Sequence, residues 1–382
     1  QIALGVPITA TKGYTAPEAE TVYSRARELC RQVGETPHLF PALYGLWRFY
    51  TVGTRLQAGH ELGEQLMVLA QTAQDSALLL EAHRAMGCTL FHLGELVSAR
   101  THLEQGIALY DPQQHRFHSF LYGHDPAVSC LAYLSWTLWM LGSPDQALKR
   151  GHELLTLGHE LSHPFSLGYA LAHCALLHQF VGDVSLVQDL AEAAVALSTE
   201  HGFPFWLAMG TFLQGWALVE QGRVEEGIAQ MRQGLAAWQA TRIGIYCSYY
   251  LALLAEVCAG VDQLEEGWRL LTEALAAVGG NGERTFEAEL HRLKGELLLQ
   301  GGESERYIPD AEGCFERAIE VARRQQAKSW ELRAAMSLGR LWERQGKRDQ
   351  AREQLQEVYG WFTEGFDTPD LKEAKALLDA LA

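Results

Sequence analysis

Antiparallel helix pairs stacked one on the next into an all-α solenoid form the fold class this sequence predicts, and three observations carry the prediction: a helix-forming composition, a repeat of small residues, and turn residues that keep step with it. Leu and Ala lead the 382 residues with Glu, Gln and Arg well represented, Pro is scarce at 11, and no series of Val, Ile and Thr runs is long enough to make several strands. A chain of this length exceeds one compact core, so it needs either several domains or a one-dimensional array.

The array shows itself when small or apolar residues inside the helical runs are aligned. With Leu46, Gly87, Ser135, Ala175, Gly215, Ala255, Gly295 and Gly339 as equivalent anchors, the successive spacings are 41, 48, 40, 40, 40, 40 and 44 residues. The same neighbours return at each anchor. After Gly87 come Leu90, Ala99, Leu103 and Gly106; at the same offsets after Gly339 come Trp342, Ala351, Leu355 and Val358. Small residues facing each other let two antiparallel helices approach closely while the large residues between fill the seam. Turn residues fall between first and second helices at Gly94, Gly142 with Pro144, Gly182, Gly222, Gly302 and Gly346.

Three segments follow in order. Residues 1–36 form a partial first pair whose second helix runs from Ala16 to Gln32, residues 37–367 form eight full pairs, and residues 368–382 form a capping helix over Leu371 to Leu381. The chain starts at Gln1 in what reads as the interior of a helix, so it is expected to be cut from something longer.

Charge and cysteine usage bound the function. A formal charge of −16 repels phosphate backbones and no local basic patch offsets it, so no nucleic-acid partner is expected. Seven cysteines are scattered singly without a CxxC pair, as in a reducing compartment, and no apolar run is long enough to span a membrane. A cytoplasmic location is expected.

The periodic pattern resembles the tetratricopeptide repeat family in its longer form of about forty residues per unit, and the likeness covers essentially the whole chain. The stretches TPHLFPALYGLWRFY, LGELVSARTHLEQGIALYDPQQHR, GFPFWLAMGTFLQGWALVEQG and QQAKSWELRAAMSLGRLWERQGKRDQAREQLQEVYGWFTEGFDTPDLKEAKALL resemble, more narrowly, the carboxy-terminal repeat region of large bacterial signalling proteins. Those proteins carry a class III adenylate or guanylate cyclase, or another effector domain, followed by a signal-transducing (STAND-type) ATPase. The resemblance implies a right-handed α-solenoid with no catalytic part of its own, serving as the sensor or regulatory arm of such a protein, with a protein or peptide segment as partner.

In that family, first-helix positions at −6, −3, +1 and +4 from the anchor line a concave groove. Here that stripe holds Phe40, Trp47, Tyr50, Arg84, Phe91, Trp136, Trp139, Tyr169, Phe212, Trp216 and Tyr249. Such an aromatic stripe either grips an apolar helix or fills a tightly wound interior as core. Family members that clamp a peptide carboxyl terminus use Lys, Arg and Asn there; only Arg84, Arg292, Arg333 and Arg340 approach that pattern, so no such clamp is expected.

A second candidate is the segment from Asp111 to Asp125, which accounts for the 48-residue spacing and carries His115, Arg116, His118, Tyr122 and His124. Three histidines suggest a metal or small-ligand site, against the simpler reading of an ordered connector. His159-Glu160-Leu161-Ser162-His163 fits HExxH, but Pro164 pushes His163 out of helical geometry, where both rings would need one face. No phosphate-binding loop or nucleophile elbow occurs, and the Gly-rich stretch at 278–286 reads as a turn between repeats. The chain is therefore expected to be non-catalytic, without cofactor or metal. A protein-interaction array is the leading reading, an oligomerisation scaffold and a metal- or small-ligand-binding protein the alternatives.

Overall fold

The computed structural model describes Thr15 and residues 17–33, 38–301 and 305–382; the expected turn at Gly302 and most of the expected partial pair before Pro17 lie outside these. Among the described residues there are twenty α-helices, one short 3-10 turn at Glu305–Tyr307, and no strand. They are α1 Pro17–Val33, α2 Leu39–Val52, α3 Leu56–Ala73, α4 Ser76–His92, α5 Leu96–Leu109, α6 Pro112–His115, α7 His118–Tyr122, α8 Pro126–Met140, α9 Pro144–Glu160 and α10 Pro164–Val181. The second half continues with α11 Val184–His201, α12 Pro204–Glu220, α13 Val224–Ala240, α14 Cys247–Ala259, α15 Leu264–Asn281, α16 Glu287–Gln300, α17 Ile308–Gln325, α18 Lys328–Arg344, α19 Arg348–Tyr359 and α20 Pro369–Ala380.

First and second helices of each pair differ in a way their sequences explain. In the second helix α9 the buried residues are Pro144, Ala147, Gly151, Leu154 and Gly158, a single stripe at helical spacing, with charged residues on the other side. In the first helix α8 every residue from Pro126 to Met140 is buried. A helix apolar all round belongs inside, so the first helices line the interior of the superhelix and the second helices form its outer wall.

The anchors sit where backbones meet. A Cβ on Gly215 would lie 2.6 Å from the Met231 nitrogen and 2.8 Å from the Gly227 oxygen, and one on Gly234 would lie 2.5 Å from the Phe212 nitrogen. Since the obstructing atoms are backbone, α12 and α13 hold their separation only with glycine at these positions.

Between first and second helix one residue takes a left-handed conformation. That residue is Thr54, Gly94, Gly142, Gly182, Gly222, Asp262 and Gly346 in successive described pairs, with φ between 60 and 85°. Glycine tolerates this φ freely, and a residue with a β-carbon, as at Thr54 and Asp262, adopts it at a cost. Nothing lies within 4 Å of where a β-carbon on Gly222 would stand, so Gly222→Ala isolates the backbone cost. We expect Gly222→Ala to lose about 1 kcal/mol and the exposed Asp262→Gly to gain about 0.5 kcal/mol, opposite shifts in urea midpoint at equivalent positions.

Successive turns of the superhelix are fastened to each other. Gly244 donates its N–H to the Val52 carbonyl at 3.0 Å, and Arg284 donates to the His92 carbonyl at 2.8 Å. The Thr285 hydroxyl donates to the Phe91 carbonyl 194 residues earlier, and the Ser329 hydroxyl to the Trp139 carbonyl 190 residues earlier, at 2.5 Å. The Arg333 guanidinium reaches the Phe180 carbonyl at 2.7 Å. Helix carboxyl ends leave carbonyls without intrahelical partners, and here those ends of α2, α4, α8 and α10 are met by elements of the next turn.

Candidate functional site

The aromatic stripe predicted to line a groove is closed by these contacts. Phe40, Trp47, Arg84, Phe91, Trp136, Trp139, Tyr169, Phe212, Trp216 and Tyr249 are all buried, and Tyr50 is half-buried beneath Arg55. Of the two readings the stripe's sequence leaves open, the structure has these side chains packed as interior. The physical reason is that the second superhelical turn fills the first. Trp330 packs edge-on against Trp139 at 4.8 Å, Tyr249 stands edge-on to Phe180 at 5.4 Å, and Arg333 lies over the Trp139 ring at 5.1 Å. Arg333 also pairs with Asp370 at 2.8 Å, and Arg292 pairs with Glu289 at 2.7 Å; Arg340 pairs with Glu373.

At the centre the rings form a ladder. Trp136 stacks on His173 at 4.7 Å and 9°, His173 on Tyr169 at 3.8 Å and 6°, and Tyr169 on His124 at 4.8 Å and 24°. The His173 Nδ1–H donates to the Tyr169 carbonyl at 2.9 Å, and the Trp136 indole N–H donates to the His173 carbonyl at 3.0 Å. Burial pushes His173 down to about 3. His124 is held well below the usual imidazole range by burial, then by the positive charges of Arg84 and Arg48.

The segment from Asp111 to Asp125 is an ordered plug made of α6 and α7. His115, His118, Tyr122 and His124 are buried in it, while Arg116 is exposed. His118 donates to Glu81 at 2.8 Å, Glu81 also receives Arg84 at 3.1 Å, and Arg84 reaches His124 Nε2 at 3.0 Å. Arg48 donates to the Tyr122 carbonyl. The plug thus ties α2 and α4 together. His115 Nδ1 accepts the Asp111 N–H at 2.9 Å rather than facing the other histidines as a ligand. Among the described residues no three His, Cys, Asp or Glu side chains are grouped as metal ligands.

The HExxH residues separate as their sequence foretells. Helix α9 stops at Glu160, Ser162 has φ 52°, and His163 caps α10 by accepting the Ser166 N–H. His159 and His163 therefore belong to different helices. All seven cysteines are free, and among the described residues no helix is long and apolar enough to cross a membrane.

Sequence reasoning missed Glu81, Arg48, His173, Trp206 and Glu283, while the Gly-rich stretch 278–286, which reads as a turn, stays helical through Asn281 and turns at 282–286. Glu81 and Arg84 stand three apart on a helix that is otherwise core, a pairing that could have marked them. Glu283 had no such signal. It accepts the Tyr246 N–H at 3.1 Å and the Ser248 hydroxyl at 2.8 Å, and meets His92 Nδ1 at 3.2 Å from the previous turn.

The buried histidines make stability pH-dependent. A histidine kept neutral in the fold, with an unfolded value near 6.5, contributes stability that is full above that value and is lost as pH falls toward the folded one. His173 alone is expected to cost about 2 kcal/mol on going from pH 7 to pH 5, with His124 acting in the same direction. Urea unfolding across this range checks it: a flat profile from pH 7 to 5 contradicts the assignment.

No known family profile matches the chain. A curated relative, an uncharacterized protein of Rhizobium meliloti (strain 1021), is 23% identical over 345 residues, which cover 89% of this chain and 33% of the relative. The chain spans about a third of the length of that relative. Among solved structures, a Rap protein complexed with Competence and Sporulation Factor superimposes with TM-score 0.65 at 8% identity, covering 100% of this chain and 99% of that one. Aspartyl phosphate phosphatase F from Bacillus subtilis gives 0.50 at 12%, covering 94% and 93%, and the human IFIT1 dimer with PPP-AAAA gives 0.51 at 13%, covering 91% and 79%. One structure of this architecture holds PPP-AAAA, so the expectation that no nucleic acid is a partner finds no support in these comparisons. These likenesses bear on fold alone, and the fold they share with this chain is a right-handed, tetratricopeptide-like α-solenoid.

Proposed function

We propose that the chain is a non-catalytic protein-binding scaffold serving as the regulatory arm of a larger signalling protein, and that its contact surface lies on the outer face of the plug rather than along the axis. One observation carries the surface. The plug interrupts the forty-residue rhythm, buries its histidines, and yet turns Phe117 and Phe120 outward with 56% and 77% of their surface exposed, beside Leu121. Exposed rings on an anchored element cost solvation and offer apolar contact area at little entropic cost, as at protein interfaces. The occupant we assign is an apolar helix face from the rest of the parent polypeptide. The length of the Rhizobium relative supports a parent larger than this chain, and the Rap structure complexed with Competence and Sporulation Factor supports partner binding on this architecture.

Calorimetric titration with the remaining segments of the parent polypeptide tests this, comparing the chain with a Phe117→Ser/Phe120→Ser variant. We expect at least a tenfold loss of affinity in the variant. Unchanged binding would overturn the surface. Concentration-dependent self-association lost in the variant would replace the reading with an oligomerisation scaffold. Tight binding of a 5′-triphosphorylated oligoadenylate would replace it with an RNA-binding one.

A further inference from the structure

A cavity of about 50 Å³ lies against the ring ladder, between α2, α4, α8, α10, α12 and the 245–246 turn, and all but one of its lining residues are buried. On the same measure a water needs roughly 10–15 Å³, so the space holds about three to five waters or one small organic molecule. Its walls are of two kinds. One side is ring surface from Tyr169, His173, Trp206 and Tyr246; the other carries Arg48, Arg84 and His124.

Polar atoms of the lining residues are left without partners. Arg84 Nε, His124 Nδ1, Trp206 Nε1 and Thr51 Oγ1 are all buried and make no hydrogen bond. Each nitrogen is a donor. Arginine and indole nitrogens only donate. For His124 the tautomer follows from its neighbour: Arg84 Nη2 donates to Nε2 at 3.0 Å, so Nε2 is the acceptor and the ring proton is on Nδ1. A protonated ring is disfavoured beside two guanidiniums. The three nitrogens only donate, the Thr51 hydroxyl can donate or accept, and leaving such atoms unmet on residues that line one cavity is a substantial cost unless something accepts from them.

We propose that this cavity is a binding site for a small organic carboxylate, whose oxygens accept from Arg84 Nε, His124 Nδ1 and Trp206 Nε1 and whose short apolar tail lies on the ring ladder. A carboxylate brings only acceptors, and charge-assisted bonds to a guanidinium are the strong kind. The inference is independent of the protein-contact surface above, since the plug's outer rings take no part in it. Its structural consequence is coupling. The ligand touches α4, the plug and α12 together, so occupancy stabilises the closed superhelix through all three.

Propionate is the probe, with 1-propanol, inorganic phosphate and sodium chloride at matched ionic strength as controls. We expect the melting temperature of the chain to rise by about 3 °C at a hundredfold excess over the dissociation constant, with no rise in propanol or salt. His124→Phe and Trp206→Phe each remove one donor and keep a ring, and each is expected to weaken propionate at least tenfold. Fluorine NMR of trifluoroacetate on the unsubstituted chain gives a second readout should either variant fail to fold: a bound signal displaced by propionate and not by propanol is expected. No melting shift and no displaceable bound signal would overturn the site. Equal shifts from phosphate would overturn the carboxylate assignment, and wild-type affinity in both folded variants would overturn the location.

Discussion

Trp136→Ala is expected to destabilise the chain by about 3–5 kcal/mol, the range for truncating a fully buried tryptophan. Trp136 has no exposed surface. It stacks on His173, meets Phe91 at 5.9 Å and Phe180 at 6.0 Å, and stands edge-on to Tyr246 at 5.5 Å, contacts drawn from separate helix pairs and turns. Removing it opens a void where the two superhelical turns meet, and close-packed surroundings collapse only partly into such a void. Circular dichroism with urea unfolding measures the loss. The same substitution decides between two readings of the stripe, because a groove residue would lose a partner's binding and leave the midpoint in place, whereas a core residue moves the midpoint. Trp216, at 8% exposed, should show the same sense with a smaller size. An unchanged midpoint for Trp136→Ala would mean that the turns are not packed as described.

Arg84→Met should cost about 3–5 kcal/mol, the range for breaking a buried ion pair from one side. Arg84 and Glu81 have 1% and 0% of their side-chain surface exposed, so solvent does not screen the pair. With the guanidinium gone, Glu81 keeps His118 but loses its other charged partner, and His124 loses the donor that fixes its tautomer. Glu81→Gln/Arg84→Met removes both charges at once and should be less destabilised than the sum of the single changes. A double-mutant cycle in urea gives the coupling directly. Additive effects would show that the two side chains do not act as a pair. The plug should also loosen in Arg84→Met, and faster hydrogen exchange at 118–124 would report it.

The two experiments concern the same feature from different sides. The interior of this solenoid is built of rings from first helices, and a buried charged cluster sits where the plug enters. Whatever the chain binds outside, its closed shape depends on that interior.

Periodicity alone determined the architecture. A small residue returning every forty or so positions, with glycine at the turn seven residues later in Gly87–Gly94, Ser135–Gly142, Ala175–Gly182 and Gly215–Gly222, fixes local helices and their pairing, because helix approach and left-handed turns are short-range demands. The HExxH match was dismissible for the same reason, since Pro164 acts on its immediate neighbour. The fate of the aromatic stripe was another matter. Trp139 meets Trp330 and Phe91 meets Thr285 across almost two hundred residues, and that meeting is set by the small rotation accumulated over each repeat, which no single repeat records. The histidine segment divides in the same way. Its insertion was visible as a broken rhythm, but only the tertiary structure sends His118 to Glu81 and His124 to Arg84, because burial and partner choice there depend on how the plug seats against helices remote from it in sequence.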